Sequence, residues 1–109
     1  MTSTLGFNSV RKVAGALIIE VRLCIDKEYI SCPAKVGRNI KKLREEFLDW
    51  LYDSAIDHPY WLYRDGEKYG VHYRGDAFVY WLNHRRYHRT CAKMVILKPG
   101  DQVKKWIFF

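Results

Sequence analysis

KMVILKPGDQVKKWIFF, residues 93 to 109, sets two apolar runs on either side of Lys98-Pro99-Gly100-Asp101. Proline fixes the first φ of a turn and glycine accepts the positive second one, so Pro-Gly suits the two central positions of a type II turn. A terminal β-hairpin is the expectation, and the elements before it are read back from there.

DAFVYWLNHRRYHR, residues 76 to 89, places Phe78, Trp81 and Leu82 at helical spacing behind Asp76, a residue suited to an N-cap. FVYWL would also be content in a strand. The cationic end complements the negative end of a helix dipole, and a helix is therefore expected. Before it, YWLYRDGEKYGVHY, residues 60 to 73, centres on Asp65-Gly66, a two-residue hairpin signal. That register pairs Arg64 with Glu67, Tyr63 with Lys68 and Leu62 with Tyr69.

Residues 38 to 57 form the clearest helix, with Ile40, Leu43, Phe47, Trp50, Leu51 and Ala55 on one stripe. Gly37 precedes it and His58-Pro59 comes directly after. Earlier still, VAGALIIEVRLCI, residues 13 to 25, is apolar at Val13, Leu17, Ile19, Val21, Leu23 and Ile25, the period of a strand with one face on a core. A turn at DKE leads to a second short strand, YISCP, and Cys24 and Cys32 are expected to face each other across the ladder as core thiols. The order is ββ-α-ββ-α-ββ: a small single α+β domain of antiparallel hairpins with two helices, its residues 1 to 10 read as flexible.

The bulk properties agree. A chain of 109 residues with 49% hydrophobic residues and only 7 Gly and 3 Pro has the composition of a globular domain with its own core. Three cysteines, Cys24, Cys32 and Cys91, without CxxC spacing read as reduced thiols of a cytoplasmic protein. Glu20 and Arg22 interrupt the first apolar run before it takes the form of a signal peptide, and no run reaches membrane-helix length.

Aromatic residues are 16% of the chain and the formal charge is +7, which points to an anionic partner. Arg85, Arg86, Arg89, Lys93, Lys98, Lys104 and Lys105 face only Asp101 in the last quarter of the sequence. A basic helix succeeded by a basic hairpin has the outline of a recognition helix and its wing, although the helix pair that precedes them in a winged helix is absent. The 38 to 57 helix carries its charges against its dipole: Arg38, Lys41, Lys42 and Arg44 lead, while Glu45, Glu46, Asp49, Asp53 and Asp57 trail. Lys41 and Lys42 are thus a second candidate anion site. Trp61, Tyr63, Tyr73 and Tyr87, interleaved with cations, are candidates for base stacking or interface contact.

Two chemistries compete for NHRRYHRTCAK, residues 83 to 93. On an unbroken helix His84, His88 and Cys91 share a face and could ligate Zn²⁺. Alternatively Cys91 with His88 or His72 forms a thiol pair, its pKa lowered by the neighbouring arginines. Neither brings a second motif, so no catalytic residue, metal or cofactor is assigned. The leading expectation is a non-enzymatic protein that contacts nucleic acid phosphate. Its alternative is a protein-protein module, such as a phage or mobile-element inhibitor or accessory factor docking on an acidic protein or a ribonucleoprotein, since Trp, Tyr and Arg anchor those interfaces equally.

Overall fold

The computed structural model describes residues 16 to 109. The expectations for residues 1 to 10, and for a first strand beginning at Val13, fall outside the described residues.

The fold is α+β. Strands β1 (Ala16–Arg22) and β2 (Lys27–Pro33) pair antiparallel, with Ile19 opposite Ile30 and Leu17 opposite Cys32. Ile19, Val21, Ile30 and Cys32 are buried on one face, as the period-two pattern requires. Cys24 does not meet Cys32. β1 ends at Arg22, and a tight turn closed by Leu23 N–H donating to Asp26 O at 2.8 Å leaves Cys24 exposed at its bend.

The C-terminal segment departs from expectation. β5 (Lys93–Val95) adds antiparallel to β2, while β6 (Val103–Phe108) adds parallel to β1, giving the order β5-β2-β1-β6. The turn itself is present: Gly100 has φ 91° and Asp101 N–H donates to Lys98 O at 3.0 Å. It closes no hairpin. A turn dictates only its own few residues, whereas the β1-β2 hairpin offers two open edges beside an apolar face. One strand on each edge pairs both and lets Ile107 pack beside Val21 in the core. The three strand spacings between β5 and β6 amount to about 14 Å. Residues 96 to 102 reach up to about 23 Å when extended, so they bridge that gap.

A short helix, α1 (Ala34–Gly37), leads into α2 (Ile40–Leu51), which buries Ile40, Leu43, Phe47 and Leu51 against the sheet. α2 is shorter than the periodicity suggests. The Asp53 carboxylate accepts from Ala55 N–H at 3.0 Å, a local bond that competes with further helix, and Ala55 is exposed. The buried His58 ring then secures the end. Its Nδ1 accepts from Tyr60 N–H at 3.1 Å, so Nε2 carries the proton and donates to Leu51 O at 2.8 Å.

β3 (Trp61–Arg64) and β4 (Glu67–Val71) form a separate hairpin. Asp65 and Gly66 both take positive φ, 53° and 81°, as a type I′ turn demands. Arg64 pairs with Glu67 and Tyr63 with Lys68 as expected, but a bulge then sets Leu62 opposite Gly70 instead of Tyr69. Helix α3 (Gly75–Trp81) comes next and continues as one π-helical turn, Leu82–Arg86. Asp76 is not its cap. Gly75 N–H donates to the Glu28 carboxylate of β2 at 2.8 Å, and a Cβ on Gly75 would stand 2.8 Å from that same oxygen, so a larger residue would displace the carboxylate.

Phe47 of α2 occupies the centre of the core, its ring 5.3 Å from Phe78, 5.4 Å from Phe109, and 5.9 Å from both Tyr73 and Trp81. Edge-to-face contacts of this kind contribute about 0.5–1.5 kcal/mol each beyond area burial. Both long helices lie on this one face of the sheet. The opposite, outer face carries Ile18, Glu20 and Arg22 of β1, Tyr29 and Ser31 of β2, Lys93 and Val95 of β5, and Trp106 and Phe108 of β6.

Candidate nucleic-acid interface

The histidine and arginine stretch is not one helix. Tyr87 N–H donates to Leu82 O at 3.0 Å, closing the π turn, and His88 adopts φ 54°, which turns the chain away from the axis. His84, His88 and Cys91 therefore do not share a helical face. Among the described residues no three His, Cys, Asp or Glu side chains converge as a metal site. Asn83 holds the returning chain in place: its Oδ1 accepts from Cys91 N–H at 2.8 Å and Ala92 N–H at 2.9 Å, and its Nδ2 donates to Ala92 O at 2.9 Å. The Cys91 thiol also runs against expectation, because burial raises its pKa more than Arg89 lowers it.

The cations divide into two groups. Arg86 donates from Nε to the Glu46 carboxylate at 3.0 Å and lies over the Tyr87 ring at 4.9 Å, while Arg85 sits 5.8 Å from the Trp50 ring. These arginines are engaged by α2, and Arg89 is exposed beyond them. Lys104 and Lys105 stand elsewhere. With Arg38, Lys41 and Lys42 they line a pocket of about 480 Å³ where the first turn of α2 meets β6, completed by Asn39, Ile40 and Trp106. Among the described residues no carboxylate lines it, and α2 has no acidic residue in its first turn. The Asn39 amide bonds back to Lys35 O at 3.4 Å and leaves the helix end uncapped by a side chain. Two areas that the sequence keeps apart, Lys41 with Lys42 and Lys104 with Lys105, line one pocket.

Lys93 and Lys98 border a larger groove of about 1100 Å³ with Ile18, Ser31 and Lys104 on the outer sheet face. Asp101 lies on its rim, its carboxylate accepting from Lys98 N–H at 2.8 Å.

The predicted stacking residues are dispersed. Trp61 donates from Nε1 to Ile56 O at 2.7 Å, stacks on His58 at 5.0 Å and 7°, and has Lys68 5.1 Å from its ring centroid. Tyr73 is packed between Phe47 and Phe109, and Tyr87 is half-buried under Arg86. Of the four only Tyr63 is exposed, at 56%. Two aromatics outside that set, Trp106, 43% exposed, and Phe108, 52% exposed, lie together on β6 with their rings 5.0 Å apart and at 75°. The Arg22 guanidinium lies 4.1 Å from the Trp106 ring centroid and is ion-paired with Glu20. Their signal was present in the alternation of VKKWIFF: once Ile107 is placed inward, Trp106 and Phe108 must face out.

No protein-family model matches the chain, and no solved structure matches it. Two elongation factors Ts are similar: that of Shewanella putrefaciens is 32% identical and that of Shewanella oneidensis 31% identical, each over 101 residues. The likeness covers 89% of this chain and 33% of each relative, so the chain spans about a third of the length of the curated relatives it matches.

Proposed function

We propose that this protein is a non-enzymatic binding module that grips nucleic acid phosphate in the basic pocket between the start of α2 and β6, with Lys93 and Lys98 extending the contact. The observation that carries the reading is the convergence of Arg38, Lys41, Lys42, Lys104 and Lys105 on one pocket that no carboxylate lines among the described residues. Five like charges so close repel one another, a cost that an anion removes. Arg85, Arg86 and Arg89 are a secondary area in this reading, since Glu46 already neutralises part of it. A cytoplasmic setting fits three thiols with no disulfide among them.

In a second reading the same surface docks on an acidic protein or a ribonucleoprotein, since its exposed aromatic and basic side chains suit such an interface equally. Salt separates the two. If all five cations meet phosphates, log affinity falls with log salt at about −3.5 for a single strand and −4.5 for a duplex, so raising salt from about 50 to 200 mM weakens binding about 100- to 500-fold. Fluorescence anisotropy with labelled oligonucleotides reads this directly. Absence of binding at about 50 mM salt sinks the nucleic-acid reading and leaves the protein partner, to be sought by co-purification from the native host.

A further inference from the structure

Resting on the nucleic-acid reading, we infer that the ligand is a single strand, held with its phosphates in the α2-β6 pocket and its bases stacked on Trp106 and Phe108 across the outer face of the sheet. Three observations meet here.

The first is continuity. Lys104 and Trp106 both line the basic pocket, and Trp106 belongs equally to the outer face, where it is level with Glu20. The pocket therefore wraps around the β6 edge onto the sheet without a break. Residues two apart on a strand are separated by at most about 6.6 Å, the scale on which a nucleotide's phosphate stands from its base, and the register shift that leaves Lys104 unpaired in β6 keeps it within that span of Trp106. One nucleotide can rest on Lys104 and Trp106 together.

The second is the chemistry of the face. Trp106 and Phe108 face out because Ile107 between them faces in, and the Arg22 guanidinium already lies over the Trp106 ring at 4.1 Å, so its outer side adds a planar cation on which a base can stack. Every base has a π-face, so such a platform binds strands of any sequence.

The third is the charge. Glu20 is the acidic residue in the midst of this face, but it is 8% exposed and paired with Arg22, while Lys93 and Lys104 flank it uncompensated by any ion pair among the described residues. A peptide of acidic residues alone would satisfy the lysines and leave the aromatic rings without partners. A duplex would satisfy the lysines too, but its bases are stacked on one another and out of reach of a flat sheet. Of these three ligands the unpaired strand is the one that uses both halves of the surface.

The experiment compares anisotropy of labelled oligo(dT), oligo(rU) and a hairpin duplex of matched charge on the full chain at about 50 mM salt, with polyglutamate as competitor. The expected result is that one or both single strands bind at least tenfold tighter than the duplex. Trp106→Leu should weaken that binding about 5- to 150-fold, the range for one stacked base, without changing the salt slope. Trp106→Phe should restore most of it. Phe108→Leu serves as a second variant should Trp106→Leu fail to fold by circular dichroism. A duplex bound as tightly as the single strands, or Trp106→Leu and Phe108→Leu both within twofold of the parent, overturns the inference while the phosphate reading stands. Binding of polyglutamate with no oligonucleotide bound overturns both in favour of an acidic protein.

Discussion

Asn83→Ala tests how the stretch from 83 to 93 is held. Three hydrogen bonds are lost at once: the two that Asn83 Oδ1 accepts from Cys91 and Ala92 N–H, and the one its Nδ2 donates to Ala92 O. Ala92 is 3% exposed, so water cannot replace both of its bonds, whereas Cys91 is only half-buried. At about 0.5–1.5 kcal/mol per bond the sum is about 1.5–4.5 kcal/mol, with about 3 kcal/mol as the central value. Each kcal/mol shifts the midpoint of a domain this size by about 4–6 °C, so Tm should fall by about 12–18 °C. The loss should reach β5, which begins at the next residue, Lys93. Asn83→Asp keeps both accepted bonds and sets an oxygen against Ala92 O, and its Tm should lie between the two. Thermal unfolding monitored by circular dichroism, with amide exchange at Cys91 and Ala92, makes the measurement. A fall of less than about 3 °C would refute the staple. Restoration of the lost stability by zinc would bring back the His84, His88 and Cys91 ligand set.

Other predictions bear on the fold's tertiary devices. Glu28→Ala removes the acceptor of Gly75 N–H and should cost about 0.5–2 kcal/mol in urea unfolding, more than Asp76→Ala, with Glu28→Gln retaining most of the cap. The reverse order would restore Asp76 as the N-cap. Burial pushes the Cys32 thiol from its ordinary value of 9.0 up to about 11. The folded state thus holds the proton more tightly than the unfolded one, and stability is lost as pH rises from about 9 to 11. The difference in unfolding free energy between the parent and Cys32→Ala should narrow across that window, and a pH-independent difference would contradict the buried thiol.

The features legible in the sequence were local or periodic. The stripe Ile40, Leu43, Phe47 and Leu51 comes from 3.6-residue spacing, and Asp65-Gly66 closes its hairpin because only a few residues tolerate two successive positive φ angles. Strand partnership was not legible at the C-terminus. The Pro99-Gly100 turn exists, but which strand β6 joins is decided by the open edge of β1 and the site for Ile107 beside Val21, information that no turn contains. The cap of α3 was hidden for a similar reason, since Glu28 lies 47 positions before Gly75. In the candidate site the residue types were legible and their grouping was not. Arg85 and Arg86 were drawn to Trp50 and Glu46 by helix packing, while Lys41 and Lys104 came together because β6 runs alongside α2. Trp61 and Tyr73 looked available only until His58, Phe47 and Phe109 claimed their faces.

The central claim is that the α2-β6 pocket, and not the arginine stretch, is where phosphate binds. A comparison of charge reversals tests it most directly. Lys41→Glu with Lys104→Glu should abolish measurable oligonucleotide binding at about 50 mM salt, and the neutral pair Lys41→Gln with Lys104→Gln should reduce the salt slope for a single strand by about 1.4. Arg85→Glu with Arg86→Glu, in the secondary area, should weaken binding far less than the lysine pair, and Arg85→Gln with Arg86→Gln should reduce the slope by less than about 1.4. If the arginine pair carries the loss and the lysine pair does not, the phosphate site lies on the far side of α2 and the account is wrong.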